Sequence, residues 1–317
     1  MTTQTNDAVV THRIGTDGMV VVRIADGQVR LRGVAGDAAT VRAADGKPLD
    51  GLEIEPGERS LTVRTGRGIE FRGFGWSDRA RGRGRTRDVE LEIPSGATVV
   101  VEGASTDVDV SGLRGDQRYR SASGDLVLRE VSGSLTIEAL SGDVEIDADG
   151  PATITARTVS GDLDLRAGSI PELRATTTSG DLHIAGTFDG NGPYAIETVS
   201  GDATLAPTAG VRIEARTITG DIDSELPSRR DDTDGRRALV IGAGGPTITF
   251  RSTSGDLRVV AASVPASSPG TSEPPAPSPT ARLEDARLGI LRALEHGEID
   301  VKEAGRRLEA LEANDHA

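Results

Sequence analysis

The sequence has no cysteine, which excludes disulfides, thiolate metal sites, iron–sulfur clusters and cysteine nucleophiles. Aromatic residues are scarce as well, at 2% of the 317 residues. A core must therefore be built from Val, Leu, Ile and Ala, which suits a thin, repetitive β architecture better than a large enzyme core organised around rings. Lysine is reduced to Lys47 and Lys302, and the four histidines (His12, His183, His296 and His316) include no pair at metal-ligand spacing. No apolar run approaches the roughly 20 residues of a membrane-spanning helix. The opening residues lack the basic and then apolar stretches of a secretory signal, so the cytoplasm is the expected location. A formal net charge of −14 favours solubility and argues against broad nucleic-acid binding.

What is abundant is glycine, with 40 residues, and much of it recurs at a fixed period. Ser-Gly-Asp stands at 123–125, 141–143, 160–162, 179–181, 200–202 and 254–256, with the variant Thr-Gly-Asp at 219–221. Successive glycines lie 18, 19, 19, 21, 19 and 35 residues apart. After each Asp the chain alternates apolar and polar, the period of a half-buried strand. One apolar column reads Leu126, Val144, Leu163, Leu182, Ala203, Ile222 and Leu257. The next reads Leu128, Ile146, Leu165, Ile184, Leu205, Ser224 and Val259, broken only at Ser224. Half a repeat later, Leu135, Ile137, Ile154, Leu173, Ile196 and Ile213 mark a second inward strand.

These patterns predict an all-β parallel β-helix, or β-solenoid, of coils of about 19 residues stacked about 4.8 Å apart. Gly124 and Asp125, Gly142 and Asp143, Gly161 and Asp162, Gly180 and Asp181, Gly201 and Asp202, Gly220 and Asp221, and Gly255 and Asp256 are read as its structural turns. Glycine would supply positive φ or room for the next coil, and Asp would bond backbone N–H groups. An antiparallel sandwich is the competing fold, but it has no need of one tripeptide at every second strand. The polar stretch 228–235 in the long last gap is expected to loop out of the stack.

The predicted organisation is a strand-rich region at 1–88, the solenoid at 89–261, a Pro/Ser-rich linker at 262–280 and a small α-helical hairpin at 281–313. The linker would extend about 50 Å at roughly 3.1 Å per residue. In the hairpin, Ile290, Leu291, Leu294, Ile299, Leu308 and Leu311 form apolar faces, Gly297 stops the first helix, and Asp300 with Glu303 makes a capping box for the second. Two short helices bury little by themselves, so the hairpin is expected to dock on a protein partner or on a second copy. Arg79, Arg81, Arg83, Arg85 and Arg87 alternate and would share one face of an extended chain, a candidate site for phosphate-bearing anions, either nucleic acid or anionic lipid.

Glu92-Ile-Pro-Ser-Gly-Ala97 leading into strands, followed by iterated Ser-Gly-Asp with alternating apolar residues, resembles the bacterial putative-adhesin β-strand-repeat family, a domain family of unknown function. The tail is similar to the short SHOCT-like hairpin found with such repeats, through Ile290-Leu291, Leu294-Glu295, Gly297, Ile299, Glu303-Ala304 and Leu308-Glu309. The resemblance implies a β-repeat domain with adhesion as its label. The residues themselves favour a non-enzymatic scaffold or interaction protein with no cofactor and no metal. Two alternatives are an envelope- or anion-binding module using Arg79–Arg87 and a carbohydrate-active β-helix enzyme. The enzyme would need two carboxylates flanking a glycosidic bond, and nothing in the sequence singles out such a pair.

Overall fold

The computed structural model describes residues 8–46, 48–49, 51–65, 88–231 and 237–262, with the backbone of Thr3–Asn6, Phe71–Arg72 and Gly75–Trp76. Among these residues every element is a strand, and all but one two-stranded pair join a single sheet of 21 strands. From position 98 to position 207 the chain winds in coils that pair in parallel, each in register with the one before.

The register follows from the apolar columns. Leu128 pairs with Ile146, Ile146 with Leu165, and Leu165 with Ile184. Leu126, Val144, Leu163 and Leu182 make a parallel row two residues earlier. Across the coil, Leu135, Ile154, Leu173 and Tyr194 form a third row. All of these side chains are buried, and they belong to one continuous core. Sliding one coil by a single residue would turn its whole apolar set to solvent, at about 1.5–3 kcal/mol for each large side chain.

Residues on both sides of position 88 share this sheet. Met19–Val34 pairs in parallel with Thr98–Ser111 from Thr98 opposite Met19 to Ser111 opposite Arg32. On its other edge lie Ser60–Thr65 and Val89–Pro94, also parallel. The coil at 19–34 is thus held between segments that follow it in sequence.

The far end departs from chain order in the same way, which corrects the expectation of sequential stacking. Thr247–Ser254 and Leu257–Val259 sit directly on the coil at 194–207. Val211–Thr219 and Ile222–Ser224 stack outside them. Packing explains the order. Fully buried Phe250 faces Ile196 on one side and small Ala215 on the other. Val259 completes the column above Leu205, leaving polar Ser224 on the outermost coil, where it is half-buried.

Both ends are closed by antiparallel strands. Ala38–Ala43 pairs with Val89–Pro94, Val9–Arg13 with Ala38–Ala43, and Leu52–Pro56 with Ser60–Thr65. At the other end Arg237–Ile241 covers Val211–Thr219, and Ser228–Arg230 covers Arg237–Ile241. The stretch expected to leave the stack as a loop therefore begins as part of its cap. An open edge has unpaired N–H and C=O groups, and a returning strand satisfies them.

Candidate functional site

The Ser-Gly-Asp turns stack into one corner of the solenoid. In spatial order its glycines are Gly124, Gly142, Gly161, Gly180, Gly201, Gly255 and Gly220, all with φ between 108° and 153°. A Cβ on any of the last six would collide with the carbonyl oxygen of the preceding glycine in the stack, and on Gly124 with that of Thr106. Glycine is thus required twice at each turn, for its backbone conformation and for the close approach of the neighbouring coil.

The aspartates form a second ladder beside them. The N–H of Asp125 donates to Oδ1 of Asp107, that of Asp143 to Asp125, and that of Asp162 to Asp143. Asp181, Asp202, Asp256 and Asp221 continue in that order, with donor–acceptor distances across the whole ladder of 2.8–3.1 Å. Each carboxylate except that of Asp221, at the end of the ladder, is therefore a strut between coils. Asp107 escapes the motif because Ser105-Thr106 precedes it, although Val108 and Val110 follow in the usual alternation. One coil further, Gln28 occupies the equivalent position, and its N–H donates to Asp88 Oδ1 at 3.1 Å.

Two residues before each Ser-Gly-Asp lies a row that sequence reasoning missed. Thr158, Thr177, Thr198 and Ser252 are stacked neighbours, buried, with hydroxyls that meet no hydrogen-bond partner. The residues between this row and the Ser row point outward. Val159, Val199 and Ile218 there account for three of the four large hydrophobic side chains exposed among the described residues, and Ile218 is 77% exposed. Leu140, Thr178 and Thr253 fill the intervening places of the same row.

One outer sheet face alternates in charge along the stack: Arg23, Glu102, Arg120 and Glu138 are successive neighbours. Glu102 takes Arg23 at 2.8 Å and Arg120 at 3.8 Å, and Arg120 also reaches Glu138 at 3.1 Å. Near the N-terminal end, Glu90 lies between Arg42 at 2.8 Å and Arg30 at 3.3 Å. The Arg42 hydrogen bond holds the Glu90 carboxyl below the usual carboxylate range. These charges pair with one another from strand to strand.

The remaining candidates fall apart spatially or structurally. His12 is buried with Nε2 2.7 Å from the Gly57 carbonyl, whereas His183 is exposed on a strand opposite Asp164. Arg114-Gly115-Asp116, an adhesion-like tripeptide in sequence, has Arg114 tied to Asp149 at 3.0 Å. Inside the solenoid Tyr119 donates to Gln117 Oε1 at 2.8 Å, and Gln117 Nε2 reaches the carbonyls of Leu113, Gly115 and Ser132. Burial pushes the Tyr119 hydroxyl far above the usual tyrosine range. Among the described residues no three His, Asp or Glu side chains are grouped to hold a metal ion, and no helix is long and apolar enough to cross a membrane. Arg79, Arg81, Arg83, Arg85 and Arg87 lie outside the described residues, as do Ile290, Leu291, Leu294, Ile299, Leu308 and Leu311 of the hairpin.

The segment that holds this corner matches a known family: the model of Toastrack DUF4097 covers residues 52–260. The chain belongs to that family. No functionally curated protein matches this Toastrack chain. Among solved structures it is similar to a "putative adhesin" from Bacteroides fragilis, at 10% identity over 80% of this chain and 98% of that one, with a TM-score of 0.29. A "putative adhesin" from Parabacteroides distasonis shares 14% identity over 79% and 95%, with a TM-score of 0.26. A "putative lipid binding protein" from the same species shares 10% over 80% and 97%, at 0.23. Neither the Toastrack model nor these neighbours names a catalytic activity.

Proposed function

We propose that this Toastrack protein is a non-enzymatic β-solenoid scaffold of the cytoplasm, in which the C-terminal hairpin mediates self-association or partner docking. The observation that supports a scaffold is the division of labour at the corner. Glycine and aspartate hold the coils together, while Val159, Val199 and Ile218 stand exposed beside the same turns. Val159, Val199 and Ile218, three of the four exposed large hydrophobic side chains among the described residues, share one row, and such a grouping marks a contact surface. The corner carboxylates accept from backbone N–H groups, and several others pair with arginines, an arrangement suited to rigidity.

The test compares the full chain with one ending at Val260, and with a full chain carrying Val159→Ser, Val199→Ser and Ile218→Ser. Sedimentation gives oligomeric mass, and crosslinking in cell extract gives partners. Loss of mass or partners on removing the tail supports the hairpin's role, and weakening by the three serines supports the corner row. Identical masses and identical partners for all three proteins would sink the reading.

A further inference from the structure

We propose that residues 247–259 form a removable coil, and that the stack has a second order in which the coil at 211–224 closes directly onto the coil at 194–207. The present order places Thr247–Ser254 and Leu257–Val259 between them. Both coils carry the same stacking features at the same register. Opposite Tyr194 stands Ile248 now and Ile213 in the second order; opposite Glu197, Arg251 now and Arg216 then. Opposite Thr198 stands Ser252 now and Thr217 then. At the turn, Gly255 packs on the Gly201 carbonyl, and Gly220 packs on Gly255 with the same geometry. Asp202 Oδ1 accepts from Asp256 N, and Asp256 Oδ1 from Asp221 N, both at 2.8 Å. Removing the middle member leaves Asp221 N the natural donor to Asp202.

On the face of the coil at 194–207 the two orders differ mainly at two places. In the second, Ile196 would face Ala215 instead of Phe250, and Leu205 would face Ser224 instead of Val259. Both differences favour the inserted coil, because fully buried Phe250 and Val259 would leave the core. Ile248 and Leu257 would leave it too, and one set of ladder hydrogen bonds would be lost, so the second order is the minor one. Withdrawal needs no threading. The coil is joined on one side by Gly242-Ala-Gly-Gly-Pro246, and on the other the chain runs on past Val259 toward its C-terminus. The coil at 211–224 meanwhile keeps its cap, Arg237–Ile241, on the opposite edge. Stacking order is thereby linked to whatever engages the chain beyond Val259, independently of the function proposed above.

A cysteine-free chain makes the test direct. Three double variants of the full chain are oxidised with glutathione under native conditions, and bridges are counted by mass spectrometry. Glu197→Cys/Arg251→Cys joins neighbours of the inserted order. Glu197→Cys/Arg216→Cys joins residues two coils apart now, roughly 9–10 Å, too far for a disulfide, but adjacent in the second order. Glu138→Cys/Thr176→Cys has the same two-coil separation within the uninterrupted stack, through Arg157, and bridges only on general opening. The first pair is expected to bridge fully. The second should bridge about tenfold faster than the third, and Phe250→Ala should speed the second about tenfold more while leaving the third little changed. Equal rates for the second and third pairs, or equal acceleration of both by Phe250→Ala, would overturn the proposal. So would failure of the first pair to bridge, since the starting order would then be wrong.

Discussion

At Gly161 two constraints coincide: a φ of 130° and a neighbour, the Gly142 carbonyl, already occupying the space of a side chain. Gly168 lies in the strand that follows, Leu163–Ser179, with nothing within 4 Å of where its Cβ would be. Gly161→Ala is therefore expected to cost about 3 kcal/mol or more, through backbone strain and separation of two coils. Gly168→Ala should change stability by less than about 0.5 kcal/mol, and urea midpoints of the two variants decide it. At Asp162 the carboxylate accepts from Asp181 N and lies between Asp143 and Asp181 along the ladder. Asp162→Asn keeps an oxygen acceptor and removes one of three neighbouring like charges, whereas Asp162→Ala loses about 1 kcal/mol with the bond. Asn should be at least as stable as wild type at low salt, and added salt should help wild type more than Asn because it screens the repulsion. Tyr119 gives the pH dependence. Its folded pKa is raised, so its contribution is complete below about pH 10, the unfolded value, and falls as pH rises further. Denaturant titrations at pH 8 and 10.5 should show a loss that Tyr119→Phe reduces, although at pH 8 that variant lacks the bond to Gln117 and starts about 1 kcal/mol lower.

At the scale of the coil, position along the stack should grade the cost of a core substitution. Leu165 is fully buried between Ile146 and Ile184, while among the described residues Ile222 has a stacked neighbour only in Leu257. Leu165→Ala is expected to cost about 3–4 kcal/mol and Ile222→Ala nearer 2, read from thermal or urea unfolding, because the end site can relax. What made the coils legible in sequence was local and repeated. The alternation after each Gly-Asp marks Leu128, Ile146, Leu165 and Ile184 as neighbours, and these four stack. The order of the last two coils was illegible for the same reason. Thr219-Gly-Asp and Ser254-Gly-Asp are interchangeable locally, and the choice rests on Phe250 packing against Ile196, a contact between residues 54 apart. The aspartate corner was half legible: the motif marked seven positions, but Asp107 carries the same strut without the Ser-Gly that announces it. The buried hydroxyls of Thr158, Thr177 and Thr198 were hidden because threonine at alternating spacing reads as a solvated strand residue.

Because each coil between positions 98 and 207 touches only its neighbours, the molecule behaves as a one-dimensional array, and whole coils are the units that can be removed. Deleting residues 144–162 joins Asp143 to Leu163 and restores Ser-Gly-Asp-Leu-Asp-Leu at the seam. Leu128 then meets Leu165 in place of Ile146, Leu135 meets Leu173 in place of Ile154, and Asp162, lost from the ladder, is bypassed by Asp181 donating to Asp143. Every column stays apolar. The shortened protein is expected to keep its β circular dichroism and a single unfolding transition, with a denaturant slope lower by about a tenth because proportionately less surface is exposed. Deleting 144–153 instead removes one side of a coil and carries the next turn to the wrong corner, so that Gly161 and Asp162 would no longer lie over Gly142 and Asp143. That protein should aggregate or elute as an expanded species. If the half-coil deletion folds as well as the full-coil deletion, the periodic corner is not what aligns the stack.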